Sequence, residues 1–303
     1  MVPGERGEVQ VTGSPRRRAA VLGHPIGHSK SPALHGAAYA ALGIDMEYGS
    51  FDLTEAQLPA FASRVRSEPG WRGLSVTMPL KAAFVPLVDR LDGLAAELGV
   101  LNTVVVEDGQ ANPVLVGHNT DVAGIVESFR HAGLGRVSRP VVVGAGNTAL
   151  AAVAALSQLG AERVGFLVRD AARAGEAAAL AERLGLAVSL APIDGGAARL
   201  AAADAVVSTL PPRAGNSLAA ELAGLPATHD GAPRVLLDVA YDPWPSRLGQ
   251  AWAERGGVVL HGLEMLVYQA VEQIVLFTSR EDAREPRVID VMCDSVGVPR
   301  RTA

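Results

Sequence analysis

Short apolar runs alternate with longer segments of helical period along most of the chain. Ala19 to Gly23 reads as a buried strand, and Ser31-Pro32 opens a helix to about Leu42, because proline is tolerated in a first turn. Gly43 ends that helix. Met46 to Leu53 alternates with the period of a strand, and Thr54-Glu55-Ala56-Gln57 has capping-box spacing at the head of the next helix. Gly73 to Thr77 is a further strand, Pro79 begins a helix through Lys81, and Asn102 to Glu107 pairs with Val114 to Gly117. A helix from about Asp121 to His131 follows.

The pattern then changes character. Arg139 to Leu156 reads RPVVVGAGNTALAAVAAL: a β-branched run, a glycine turn, and an alanine-rich segment at helical spacing. The turn Gly144-Ala145-Gly146-Asn147-Thr148-Ala149 has G-x-G-x-x-A spacing, in which backbone N–H groups and a helix N-terminus can receive a pyrophosphate. Alone it is equally an ordinary strand-turn-helix. Strands recur at Arg163 to Val168, Ala187 to Leu190, Asp204 to Ser208 and Val235 to Val239, separated by helical stretches, and an amphipathic segment from Gly262 to Thr278 closes the series. Such alternation predicts an α/β protein of two domains. An α/β substrate domain spans residues 19–121, completed by 262–303. A Rossmann-type, doubly wound parallel-sheet dinucleotide-binding domain spans 122–261. Residues 1–18 read as a disordered tail, and Arg280 to Ala303, rich in charge and proline, as a second tail at the end of the returning segment.

Composition narrows the partners. With 303 residues, 49% of them hydrophobic, the chain can bury two cores. A net charge of −5 and 4% aromatics leave no general attraction for nucleic acid or an anionic membrane. The basic stretch Arg16-Arg17-Arg18 is followed by too short an apolar run for an export signal, since His24-Pro25 interrupts it, and no run reaches membrane-spanning length. The single cysteine, Cys293, excludes an internal disulfide and suits the cytoplasm. A monomer and a homodimer are both compatible with this composition.

Four polar clusters interrupt the apolar pattern ahead of the glycine turn: Ser29-Lys30-Ser31, Thr77 to Lys81, Asn102-Thr103 and Asn119-Thr120-Asp121. Each stands at a strand-to-helix junction or a strand start, where open α/β sheets gather ligand groups. Hydroxyls, amides, one cation and one carboxylate suit a small polyhydroxylated acid. Lys81 in a first helical turn faces the positive end of the dipole, which makes its ammonium a readier proton donor. By position alone it reads rather as a solvated lysine, and Asp121 as the N-cap of its helix. His24, His28 and His35 are broken up by Pro25 and Gly27, so no metal site is expected. Gly27 to Ser31 lacks phosphate-loop spacing. Trp244, Trp252, Phe51 and Phe61 read as core or pocket-wall aromatics.

In order, Gly23-His24-Pro25-Ile26-Gly27-His28-Ser29-Lys30-Ser31-Pro32, Val76-Thr77-Met78-Pro79-Leu80-Lys81, Asn102-Thr103, Asn119-Thr120-Asp121, the glycine turn, Asp238-Val239-Ala240-Tyr241 and Gly262 to Gln269 resemble the shikimate dehydrogenase family, from about Ala19 to Ser279. The resemblance implies reversible reduction of 3-dehydroshikimate to shikimate by NADPH, a step of chorismate and aromatic amino acid biosynthesis. It makes Lys81 and Asp121 the catalytic pair and Ser29 and Ser31 the holders of the substrate carboxylate. It places Thr77, Asn102, Tyr241 and Gln269 on the substrate, and Gly144, Ala145, Gly146, Asn147, Thr148, Val239 and Gly262 along the cofactor. Where the family commonly reads Gly-Ala-Gly-Gly-Ala and His-Asn, this chain has Asn147-Thr148 and His35-Gly36, changes that leave binding intact.

The second strand of the nucleotide domain ends Val168-Arg169-Asp170, where the family usually reads Asn-Arg-Thr. Arg169, joined by Arg173 one helical turn on, suits the 2′-phosphate of NADP; Asp170 suits the free ribose hydroxyl of NAD. NADP is the expected cofactor, with NAD open. The rival expectations are an NAD-dependent quinate/shikimate or amino-shikimate-type dehydrogenase, and a non-catalytic metabolite sensor on the same scaffold. Retention of both Lys81 and Asp121 speaks against the sensor.

Overall fold

The computed structural model describes residues 16–110, 112–226 and 233–302. Twelve strands among them form two six-stranded sheets. The first sheet holds β1 (Arg17–Gly23), β2 (Met46–Asp52), β3 (Trp71–Val76), β4 (Arg90–Leu91), β5 (Thr103–Glu107) and β6 (Val114–His118) in the order β2-β1-β3-β5-β6-β4. β1 runs parallel to β2 and β3, whereas β5 is antiparallel to both β3 and β6. This arrangement gathers the polar clusters at one end. The C-terminal ends of β1 and β3 lie beside the start of β5, where Ser75 pairs with Thr103, and beside the end of β6, where His118 pairs with Thr103.

The second sheet is wholly parallel: β7 (Val141–Val143), β8 (Arg163–Val168), β9 (Ala187–Pro192), β10 (Ala205–Ser208), β11 (Val235–Asp238) and β12 (Val258–His261), ordered β12-β11-β10-β7-β8-β9. The chain steps outward from β7 on one side and then returns to the other, so the direction of winding reverses between β7 and β10. Open α/β sheets bind ligands outside the strand ends at such a switch point. The glycine turn follows β7.

Each sheet has apolar residues on both faces. Alternate positions of β1 divide between them: Ala19 joins Leu34, Ala38, Val267 and Ile274, whereas Ala20 and Leu22 join Leu58, Phe61 and Leu74. The alanine-rich helix Asn147–Gln158 is buried from Ala149 to Leu156 against Val142, Phe166 and Val207, its small side chains letting it lie close to the sheet.

The helix Gly262–Thr278 leaves the second sheet after β12 and packs on the first. At Gly73 the contact is so close that a Cβ would stand 2.0 Å from the ring of Phe277. At Gly124, on the helix Asp121–His131, a Cβ would meet the Met265 carbonyl oxygen at 2.8 Å. These two glycines let one helix sit tightly against both a strand and a helix.

The structure departs from the sequence reading at both ends. Residues 1–15 lie outside the described residues, but Arg17 and Arg18 belong to β1 rather than to a tail. Arg18 donates to Glu68 at 2.8 Å and lies 4.4 Å from the centre of the Trp71 ring, contacts that extend the strand beyond its apolar run. The segment after Arg280 is also no tail. It forms the helix Pro286–Val296, which buries Val288, Ile289, Met292 and Cys293 against Leu34 and Ala38; of its charges Arg287 and Asp294 are exposed, while Asp290 is buried and accepts from the Arg301 N–H at 2.6 Å. β4 and β12 are further elements the periodicity passed over, β4 being two residues long. The capping box at Thr54 is present, but it starts a 3₁₀ turn, Glu55–Gln57, before the helix Leu58–Ser67. Trp252 is core as expected, while Trp244 is 37% exposed and lies over His261.

Candidate active site

Lys81 is the second residue of a one-turn helix, Leu80–Ala83, that β3 reaches through Thr77-Met78-Pro79. A single turn carries little dipole, so the charge that governs Lys81 is the carboxylate it meets. Its ammonium donates to Oδ2 of Asp121, and both side chains are buried. Asp121 is therefore not the N-cap of its helix. Thr120 holds that position, without a side-chain cap, and the Asp121 carboxylate turns toward Lys81 and Asn102 from the helix's first turn, where the dipole favours an anion.

Asn102 joins the rest. Its Nδ2 lies 2.8 Å from Asp121 Oδ1, 2.9 Å from Thr120 Oγ1 and 3.1 Å from Gln269 Oε1, while its Oδ1 accepts from the Thr120 N–H at 2.7 Å. Gln269 reaches the site from the helix Gly262–Thr278, and its Nε2 donates to the Leu266 carbonyl at 3.1 Å. Lys81, Asp121, Asn102 and Gln269 thus form one hydrogen-bonded group drawn from three helices and the bend before β5.

The serine pair stands at the start of the helix Ser31–Leu42. The Ser31 N–H donates to Ser29 Oγ at 3.3 Å; Ser31 is buried and Ser29 half-buried. Below them His35 is fully buried, stacked at 3.8 Å on Tyr48, with Nδ1 3.0 Å from the Ser31 carbonyl oxygen. Burial pushes the His35 imidazole down to about 3, only partly offset by the Ser31 bond, so the ring is neutral and its Nδ1–H donates. Thr77 is half-buried beside Gly23, where a Cβ would stand 2.5 Å from its methyl carbon.

At the second sheet, Gly144 has φ +105°, a conformation that excludes other residues in practice, and a Cβ there would strike Thr209 Oγ1 at 2.5 Å. Gly146 is exposed, with nothing near the position of a Cβ, and it precedes the helix Asn147–Gln158. Open space at a helix start, next to the switch point, fits a dinucleotide phosphate. Ala145, Asn147 and Thr148 flank it, half-buried. Asp170 caps the turn Ala171–Ala174 by accepting from the Ala172 N–H at 3.0 Å, which occupies one of its oxygens. Arg169 and Arg173 are exposed on either side of it. These guanidiniums fit the 2′-phosphate of NADP better than the capped carboxylate fits a ribose hydroxyl.

Val239 and Gly262 are in contact: the Val239 carbonyl oxygen would stand 2.2 Å from a Cβ on Gly262. Tyr241, half-buried, packs against the cluster that contains Leu263 and Val267, and burial raises its phenol. The helix that begins at Gly262 carries Gln269 seven residues on, about 10 Å along its axis, so one rigid element links the second sheet to the Lys81 group. Among the described residues no three His, Cys, Asp or Glu side chains gather as a metal site requires, and no helix is long and apolar enough to cross a membrane.

Three residues of this region have no counterpart in the motifs: Tyr48, Ser75 and Gln273. Their signal in the sequence is faint, a serine inside a buried strand and a second glutamine four residues after Gln269.

Residues 21–104 match the family model described as the shikimate dehydrogenase substrate binding domain. A shikimate dehydrogenase (NADP(+)) of Moorella thermoacetica is 35% identical over 266 residues, 86% of this chain and 88% of that one. The crystal structure of Mycobacterium tuberculosis shikimate dehydrogenase superposes with a TM-score of 0.80 at 36% identity, covering 93% of this chain and 99% of the other. A shikimate 5-dehydrogenase of Thermus thermophilus, crystallised with NADP(H) and shikimate, gives a TM-score of 0.72 at 29% identity, over 92% of this chain and 99% of the other.

Proposed function

Since the chain belongs to the shikimate dehydrogenase family, we propose that it catalyses the reversible, NADPH-dependent reduction of 3-dehydroshikimate to shikimate, with Lys81 and Asp121 as its catalytic pair. The observation that carries the reading is the buried contact of Lys81 with Asp121, tied through Asn102 to Gln269 at the polar end of the first sheet.

Ser29 and Ser31 hold the substrate carboxylate with their hydroxyls, Asn102, Gln269 and Thr77 face the ring hydroxyls, and Tyr241 closes the pocket from the side of the second sheet. When bound, NADPH supplies the hydride that reduces the ketone carbon. Gly144 to Thr148 hold its pyrophosphate, Arg169 and Arg173 its 2′-phosphate, and Val239 and Gly262 flank the nicotinamide. As negative charge grows on the carbonyl oxygen, the Lys81 ammonium gives that oxygen a proton; in the reverse direction the neutral amine takes it back. Asp121, already held by Asn102, keeps Nζ aimed and accepts from a substrate hydroxyl. A positioned acid of this kind contributes roughly 10²- to 10⁴-fold to the rate.

The enzyme acts in the cytoplasm as a monomer or homodimer, and steady-state rates for shikimate and quinate, each with NADP and NAD, test the assignment. Shikimate with NADP is expected to give the highest kcat/KM. A preference for quinate with NAD overturns both the substrate and the cofactor.

A further inference from the structure

Gln273 lies one turn beyond Gln269 on the same face of the helix Gly262–Thr278, 1% exposed. Its Oε1 accepts from Ser75 Oγ at 2.6 Å, and its Nε2 donates to Thr103 Oγ1 at 2.9 Å and to the Asn102 carbonyl at 3.3 Å. Ser75 in turn accepts from the Tyr48 hydroxyl at 2.6 Å. Thr103 Oγ1 is 2.8 Å from Asn102 Oδ1. All of these groups are buried except Tyr48, whose ring is covered by His35.

Two backbone groups set the direction of the amide bonds in this chain: the Asn102 carbonyl can only accept and the Thr120 N–H can only donate. Gln273 therefore turns its amino group to the Asn102 carbonyl and to Thr103, and its oxygen to Ser75, which accepts from Tyr48. Thr103 then accepts from Gln273, and its hydrogen goes to Asn102 Oδ1. With Oδ1 receiving Thr103 and the Thr120 N–H, the amino group of Asn102 is directed at Asp121 and Gln269. A reversed Asn102 amide would set its oxygen against the Asp121 carboxylate and its amino group against two donors.

We propose that Gln273 is a positioning residue for the reaction: through Thr103, and together with the Thr120 N–H, it holds the Asn102 amide in the one orientation that donates to Asp121 and to Gln269. Gln273 is not required to touch substrate or cofactor. The inference rests on the reading of Asn102, Asp121 and Lys81 as the reacting site. A side chain misplaced by about 1 Å costs up to ~10²-fold in rate, so Gln273→Leu is expected to lower kcat/KM for shikimate about 10- to 100-fold, with KM for NADP⁺ changed less than about twofold.

A double-mutant cycle separates this role from a merely structural one. The wild type, Gln273→Leu, Asn102→Ala and the double variant are assayed for shikimate oxidation with NADP⁺, folding being checked by circular dichroism. If Gln273 acts through Asn102, its loss has little further effect once Asn102 is alanine. Equal fold-losses in both backgrounds overturn the proposal, as does near-normal kcat/KM in folded Gln273→Leu. Should that variant not fold, Thr103→Val, of the same shape, breaks the same link and takes its place in the cycle. Lys81→Ala is assayed alongside. Full activity in that variant overturns the site itself, whereas equal fold-losses in the Asn102 cycle beside an inactive Lys81→Ala overturn only the role of Gln273.

Discussion

Gly262 and Val239 are separated by so little that a single methyl group on the glycine would stand 2.2 Å from the valine's carbonyl oxygen. The contact sets the end of β11 directly against the first residue of the helix that carries Gln269 and Gln273. Gly262→Ala must push the two apart. We expect a loss of about 1–3 kcal/mol, the usual cost of overpacking, and a raised KM for NADP⁺. Urea unfolding and steady-state kinetics check this; an alanine variant with wild-type midpoint and KM shows that the contact constrains neither.

Lys81→Ala removes the proposed proton donor but leaves the serine pair in place. Turnover is expected to fall about 10²- to 10⁴-fold, with shikimate binding, followed by calorimetry, retained. Asp121→Asn should be impaired as well, because an amide gives Lys81 no ionic partner. Near-normal turnover in Lys81→Ala removes that residue from the chemistry.

Arg169→Ala is expected to weaken NADP⁺ alone. A charge-assisted bond to a phosphate is worth about 1.5–3 kcal/mol, roughly 10- to 100-fold in KM, and NAD⁺ has no 2′-phosphate to lose it. Arg173→Ala should act in the same direction. Equal changes in KM for NADP⁺ and NAD⁺ exclude the 2′-phosphate as the partner of these guanidiniums.

His35 makes stability depend on pH. Its imidazole is held down to about 3 by burial among Tyr39, Tyr48 and Phe277, against 6.5 when free. Between those values the unfolded chain binds a proton that the folded chain refuses. This contribution is therefore whole above pH 6.5 and is lost as the pH falls toward 3, at about 1.4 kcal/mol per unit. His131 and His261 are also depressed by burial and add in the same sense. The proton linked to His35 is read as the difference between wild type and His35→Phe in denaturant unfolding from pH 7 to 4.5. Parallel stability curves for the two proteins overturn it.

Much of this molecule is legible in one dimension. Helix Ser31–Leu42 ends at Gly43, whose φ of +63° is the left-handed cap expected of a glycine there, and β8 and the helix Gly262–Thr278 have the bounds their apolar periods predict. These features depend on a residue and its near neighbours. Asp121 is different. As a sequence position it is a good N-cap, and it became the partner of Lys81 because a residue forty positions away arrived beside it. The helix Pro286–Val296 was hidden for a related reason, since its apolar residues are interspersed with charges in sequence but come together on one buried face in space.

The sequence by itself determined the alternation of strands and helices, the glycine turn, and the set of polar clusters that carry the family resemblance. Backbone preference, side-chain period and motif order are local properties, and they survive without knowledge of the fold. Only the tertiary structure decided which polar groups meet. The antiparallel return of β5 sets Thr103 opposite Ser75, and the helix Gly262–Thr278 lowers Gln269 and Gln273 onto Asn102 from more than 160 residues away. A buried amide gains its meaning from the donors and acceptors around it, and those are supplied by packing between distant segments.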